Sequence, residues 1–407
     1  MKAVPRHELE QRWNRCRTLL KHYLPDAGGI ILFSRLNIYY FSGTVGNGLL
    51  WLPLEGDPVL LCRRGHERAE LETCLEHIVP FYSYRDVEGL LKKAGSPLPK
   101  TFAVEMNGLS WSLGNSFSKY LAGFHVLPGD KILSISRGKK SEWELTKLRD
   151  AGARHAKCLT ELLPPLLRSG ITELEIAHRI SDLFFQEGHH GILRMENYGE
   201  EIFLGHISIG ESANYPSVFN GPVGLRGTHP ATPFMGSHEI AWEEGLPLTI
   251  DIGFSLEGYQ TDKTQVYWLG SQDSIPSNVL AAHNFCIELQ NWIAEQLKPG
   301  VLPSELWRHS SDLAAKQGWS DGFMGLGCNK VQFVGHGIGL AIDEYPVLAE
   351  GFDLPLEMGM VLAIEPKMGI PGVGIVGVEN TFEVTATGGK CMTGLNYDMI
   401  CIPPNRK

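Results

Sequence analysis

The sequence predicts an α+β protein in two parts, a smaller α/β domain over residues 1–138 and a larger domain over 139–407. Two observations carry this. Strand-like and helix-like stretches alternate over the first 130 or so residues, as in a small layered α/β domain. Beyond them the pattern comes in near-duplicate halves. Helix, helix, strand, loop and an acid-bearing hairpin (142–269) are followed by helix, helix, a histidine loop and a second acid-bearing hairpin (277–385).

In chain order, residues 7–24 place Leu9, Trp13, Cys16, Leu19, Leu20 and Tyr23 at helical spacing. A short buried strand, IILF, comes next, then a strand pair in LLWLP and PVLLC joined through Pro53 to Asp57. HERAELETCLEHI reads as a helix, VPFYSY as a strand, VEGLLKKAG as a helix, and TFAVE opens another strand–helix unit. The polar stretch SRGKKSEW marks the domain boundary and leads into a helix from Glu142 to about Leu167. Thr172 and Glu175 have the spacing of a capping box on a helix that ends at Gly188. EIFLGHISIG is a strand, and the Gly/Pro-rich stretch 210–244 is a loop walling a pocket. Strands 247–254 and 259–269 form the first hairpin. Helices over 277–297 and 303–317 follow, and strands return from about 360.

Composition excludes several classes. Hydrophobic residues make up 43 % and charged residues 20 % of 407, with a net charge of −10, as in a globular enzyme. No long Lys/Arg run or basic stripe interleaved with aromatics is present, which argues against a nucleic-acid partner. No apolar run approaches the roughly 20 residues of a membrane span. The polar start lacks the apolar core of a signal peptide. Eight scattered cysteines without a C-x-x-C pair read as reduced thiols, so the expected setting is the cytoplasm.

Four acids stand inside apolar strand-like runs: Asp251 in LPLTIDIGF, Asp262 in GYQTDKTQVYW, Glu365 in MVLAIEPKM and Glu379 in GIVGVENTFEV. Burying four carboxylates costs several kcal/mol each, by order of magnitude, unless cations compensate. His336 lies between Gly335 and Gly337, where glycines permit close backbone approach. Residues opposed on antiparallel strands face the same side, so each hairpin presents two acids to one point and His336 completes the shell. Four carboxylates and one imidazole suit two adjacent divalent ions that activate a shared water. Mostly oxygen donors favour Mn, Co, Zn or Fe over soft ions. Taken singly, an acid in a strand is more often paired with an arginine or lysine. Such pairing in the folded protein counts against the metal reading.

Those five residues, in that order and context, resemble the creatinase, aminopeptidase P, prolidase and methionine aminopeptidase family of metallopeptidases. The resemblance implies a pita-bread catalytic domain, a curved antiparallel sheet of pseudo-twofold symmetry covered by helices, behind a creatinase-type N-terminal domain. It implies Asp251, Asp262, His336, Glu365 and Glu379 as metal ligands and Glu365 as the group that shuttles the proton to the leaving nitrogen. Asp343 stands where the peptidases carry a second histidine, and is a candidate for catalysis, for contact with a substrate amine, or for capping the turn before Glu344. The loop SANYPSVFNGP lacks the family's further histidine, and Gly377 replaces an arginine of the prolidase branch. His206, His229 and His238 read as structural or exposed. Tyr215, Phe219 and Phe234 read as loop packing, with Tyr215 also a candidate substrate contact. Cys328 and the other cysteines read as packing residues.

The function expected is hydrolysis of a peptide bond by a dinuclear metal centre, in the manner of an Xaa-Pro dipeptidase or aminopeptidase acting as a homodimer. The altered substrate-orienting positions leave open a small-molecule hydrolase or lyase on the same scaffold. A binding module is disfavoured because the metal ligands are retained.

Overall fold

The computed structural model describes residues 3–197, 199–232 and 235–404. The chain divides into two compact units, the first running to Arg137 and the second from Gly138 onward, apart from a brief excursion at 197–199.

The first unit is built on a six-stranded mixed sheet. Its strands are β1 (Gly29–Leu32), β2 (Asn47–Pro53), β3 (Val59–Arg64), β4 (His77–Pro80), β5 (Thr101–Val104) and β6 (His125–Pro128), in the order β4-β3-β2-β1-β5-β6. Helices α1 (Arg6–Tyr23), α2 (Arg35–Ser42), α3 (His66–Glu72), α4 (Val87–Lys93), α5 (Trp111–Ser118) and α6 (Asp130–Gly138) accompany it. The buried runs of β1, β2 and β3 pack against Val87, Leu91, Phe117 and Leu121. Three readings shift here, the first being the helix expected over HERAELETCLEHI, which stops at Glu72. The strand expected in VPFYSY lies earlier, at His77–Pro80, and the polar stretch SRGKKSEW begins inside a helix that ends at Gly138. The apolar residues Ile132, Leu133 and Ile135 make that helix, and its arginine is buried with them.

The second unit begins with α7 (Glu142–Lys157), opened by a capping box in which Ser141 and Glu144 exchange hydrogen bonds. The helix expected to reach Leu167 passes into a π-turn at Cys158–Leu162 and a short 3-10 turn at Pro164–Leu166, because Pro164 and Pro165 cannot continue the ladder. Next comes α8 (Glu173–Gln186), with its own Thr172–Glu175 capping box. Short strands β7 (Leu193–Arg194) and β8 (Glu201–Ile202) precede β9 (Gly205–Ile209), β10 (Pro247–Leu256) and β11 (Tyr259–Leu269). Helices α9 (Ser277–Gln296) and α10 (Pro303–Lys316) follow. Then come β12 (Phe333–Gly337), β13 (Glu344–Ala349), β14 (Val361–Ile364), β15 (Lys367–Ile370), β16 (Gly374–Gly377), β17 (Asn380–Thr385), β18 (Gly388–Cys391) and β19 (Ile400–Ile402).

Two larger sheets result, β19-β11-β10-β9 and β13-β12-β14-β17-β18, beside the two-stranded pairs β15-β16 and β7-β8. In β10 the even positions Leu248, Ile250, Ile252 and Phe254 pack with Ile176, Ile180 and Phe184 of α8. In the second sheet Leu362, Ile364, Phe382 and Val384 pack with Val279, Leu289 and Ile293 of α9. The period-two alternation of a strand then forces the intervening positions to the opposite face. Asp251, Glu365 and Glu379 belong to that face. The sheets join where Thr264 of β11 bridges Glu379, its N–H donating to the Glu379 carbonyl at 3.1 Å. Among the described residues no helix is long and apolar enough to cross a membrane.

Candidate metal centre

The first hairpin pairs Asp251 with Thr264 and Gly253 with Asp262. The two aspartates are therefore diagonal rather than directly opposed, but they share a face. In the second hairpin one register runs from Val361↔Glu383 through Ile364↔Asn380 and resumes at Lys367↔Gly377. The interruption falls at Glu365–Pro366 and Val378–Glu379, so both glutamates lie where the ladder opens. His336 on β12 pairs with Ala363 of β14 and Val347 of β13 across a bulged register. At Gly337 a Cβ would come within 2.3 Å of the Tyr345 carbonyl, so only glycine lets these strands approach.

The expected residues meet. Donor atoms of Asp262, His336 and Glu379 all lie within 4.8 Å of one another. His336 Nε2 is 3.4 Å from Glu365 Oε1 and 3.7 Å from Glu379 Oε1. His336 Nδ1 is 3.1 Å from the Gly337 carbonyl, which can only accept, so Nδ1 carries the proton. In the neutral ring Nε2 then turns a lone pair toward two carboxylates. Glu379 Oε1 is buried without a hydrogen-bond partner among the described residues. Carboxylate and imidazole lone pairs converging on one point are the arrangement that a divalent cation satisfies.

The electrostatics agree. Burial and the nearby carboxylate of Asp251 push Asp262 up to about 7. Burial, with neighbouring acids, also raises Glu365 and Glu379. Burial disfavours a charged His336, yet the Glu365 and Asp262 carboxylates outweigh it and raise its pKa. Asp251 alone is lowered: burial works against its charge, and the Lys367 ammonium and hydrogen bonds prevail.

Lys367 is the feature that pattern reading missed. It is wholly buried, and its Nζ lies 3.0 Å from Glu379 Oε2, 3.8 Å from Asp251 Oδ1 and 3.9 Å from Glu365 Oε2. The pairing that counts against a metal site is thus present for Asp251 and shared by both glutamates, while Asp262 and His336 face the open side. Strand parity is the signal that reveals it, since Lys367 follows Glu365 by two residues and takes the same face. Its cross-strand partner is Gly377, where φ is +135° and a Cβ would meet the Pro366 carbonyl at 2.4 Å. No side chain fits at 377, and the cation beside the acids comes from the opposite strand.

His206, read from the sequence as structural or exposed, is buried. It pairs directly with Asp251 across β9 and β10 and so faces the same side. Its Nε2 lies 2.7 Å from Ser217 Oγ in the loop that lacks a histidine of its own. Burial lowers its pKa, so it is neutral near pH 7. Asp343 accepts a hydrogen bond of 2.6 Å from the Glu196 backbone N–H, and burial raises it to about 6. Asp343 thus ties the loop after β7 to the turn after His336. Tyr215 is half exposed, with the Arg226 guanidinium 5.0 Å from its ring centre, and its carbonyl accepts from Leu225. Phe219 packs edge-on against His206, and Phe234 lies outside the described residues. His238 is exposed. Cys328 is exposed rather than a packing residue, because the Gly325–Gly327 turn carries it outward.

Residues 146–386 match the model of metallopeptidase family M24, and residues 12–137 match the creatinase/prolidase N-terminal domain. The chain belongs to metallopeptidase family M24. Its second unit is the pita-bread fold of that family, and the first is a creatinase-type domain. The chain is 28 % identical over 285 residues to a probable dipeptidase PepE of Mycobacterium bovis, covering 68 % of this chain and 65 % of that protein. It is 24 % identical over 373 residues to an Xaa-Pro dipeptidase of Pyrococcus furiosus, covering 91 % and 94 %. In fold it matches the dipeptidase PepE of Mycobacterium ulcerans (TM-score 0.77, 21 % identity, 99 % and 100 % covered). It likewise matches an Xaa-Pro dipeptidase from Bacillus anthracis (TM-score 0.77, 22 % identity, 97 % and 99 % covered).

Proposed function

We propose that this chain is a metal-dependent peptidase that removes a residue joined to proline, with Asp251, Asp262, His336, Glu365 and Glu379 forming its metal centre. One observation carries the proposal: His336 Nε2, the nitrogen that bears the lone pair when the ring is neutral because Nδ1 faces the Gly337 carbonyl, faces the oxygens of Glu365 and Glu379 beside Asp262. Mn, Co, Zn or Fe suits such a donor set.

A divalent ion bound there supplies Lewis acidity toward a water molecule and the scissile carbonyl. Glu365 receives the proton of the attacking water as the new C–O bond forms. It then passes that proton to the nitrogen as the C–N bond breaks. Burial raises its pKa against the opposing Lys367 and His336 charges, the direction that favours uptake of a proton by a carboxylate. Asp343, held by the Glu196 N–H, offers its carboxylate to a substrate amine. Tyr215 walls the loop above the site, and His206 holds that loop through Ser217. Xaa-Pro dipeptides are the favoured substrates because relatives of that printed activity match nearly the whole chain. A homodimer belongs to the same proposal, and sedimentation tests it.

The deciding experiment strips the purified chain with a chelator and assays an Xaa-Pro dipeptide and tripeptide panel before and after reloading with Mn²⁺ or Co²⁺. Cleavage that disappears and returns with the metal is the expected result. Bound metal with no cleavage of any peptide on the panel refutes the peptidase assignment.

A further inference from the structure

We propose that the Lys367 ammonium takes the place of one of the two cations this acid shell would otherwise bind, so that the chain holds a single divalent ion. The inference rests on the metal reading of the site and departs from the pair of ions the sequence predicts.

The cluster has two unlike ends. At one end Asp262, which accepts from the Lys263 backbone N–H at 3.0 Å, converges with His336 Nε2 and with Glu379 Oε1, which has no hydrogen-bond partner among the described residues. At the other end the corresponding oxygens are engaged. Asp251 Oδ1 accepts from Thr264 Oγ1 at 2.5 Å, and Glu379 Oε2 accepts from Lys367 Nζ at 3.0 Å. Lys367 Nζ also lies within 4 Å of Asp251 and Glu365, so it sits on the common focus of three carboxylates. A divalent ion ligated there needs its oxygens at about 2.0–2.2 Å. It would therefore lie within a few ångströms of a fixed positive charge in a site screened from water. The ammonium has nowhere else to go: the side chain is wholly buried, and β15 pins its backbone opposite Gly377. One end therefore carries a permanent cation supplied by the chain and the other a place for an exchangeable one. Removing the metal leaves Asp251 still compensated.

The experiment is a metal titration of the chelator-stripped full chain with Co²⁺, followed by calorimetry and by the visible absorption of bound cobalt, with elemental analysis of the dialysed product. The expected result is one ion per chain in the wild type and two in Lys367→Gly, which opens the second position. Two ions per wild-type chain overturn the inference, as does one ion in both proteins. No bound ion in either protein overturns the metal reading itself and so is distinguishable. If Lys367→Gly fails to fold, the wild-type stoichiometry decides, together with Lys367→Arg. That variant keeps a cation and is expected to bind one ion; two would overturn the proposal.

Discussion

Thr264 holds the two halves of the acid cluster in register, and replacing it with valine tests whether that matters to the metal. Its Oγ1 is 2.5 Å from Asp251 Oδ1 and 3.1 Å from Glu379 Oε2. One hydroxyl owns one proton, so it donates to one carboxylate while keeping the other within reach. Valine preserves the branched shape and the backbone hydrogen bond to the Glu379 carbonyl, so the loss is confined to the donor. A hydrogen bond to a charged acceptor contributes about 1.5–3 kcal/mol, and the acceptor left behind is buried. Thr264→Val should therefore lower the unfolding free energy of the metal-free chain by about that amount. Thr264 also fixes which way Glu379 turns its Oε1, so metal affinity should fall on the order of 10- to 100-fold. Denaturant unfolding with and without metal, and titration calorimetry, measure both. An unchanged unfolding midpoint together with an affinity within about threefold of wild type would refute the orienting role.

His206→Ala frees Ser217 and the loop over the site while leaving every proposed ligand in place. The expected result is a rise of about tenfold or more in KM with a smaller change in kcat, read from steady-state kinetics on an Xaa-Pro dipeptide. His283 is buried on α9, and its two ring nitrogens require the neutral form. Nε2 donates to the Tyr397 carbonyl at 2.9 Å, and Nδ1 accepts from the Gly377 N–H at 3.2 Å. Burial lowers its pKa to about 4, from 6.5 in the unfolded chain. The unfolded state therefore binds the extra proton first, and stability contributed by the neutral ring is lost as pH falls from 6.5 toward 4. The loss amounts to about 3 kcal/mol. In His283→Gln, which retains a donor and an acceptor, the acid limb of the stability profile should flatten by that amount, as measured by urea midpoints across this range.

Much of the site was legible because the responsible signals are local. Asp251, Glu365 and Glu379 interrupt runs of Leu, Ile and Val whose alternate members are committed to the helical layers. Burial of the apolar set then forces the acids to the other face. His336 was legible for a similar reason, since glycines at 335 and 337 announce a backbone approach that no other residue allows. The capping box at Thr172 is likewise written in four residues.

Lys367 and His206 were harder to read for physical reasons. A lysine after a proline reads as an exposed turn residue. Its burial follows only once the strand is seen to continue past Pro366 on the register set by Val361↔Glu383. His206 reaches Asp251 through a strand pairing across more than forty residues, and nothing in its own neighbourhood states that partner. The sequence by itself determined the identities and order of the groups and the sheet face each must take, because hydrophobic periodicity is a property of neighbours along the chain. Only the tertiary structure decided which charge answers which, because a buried carboxylate is compensated by whatever cation the register of distant strands brings within about 4 Å.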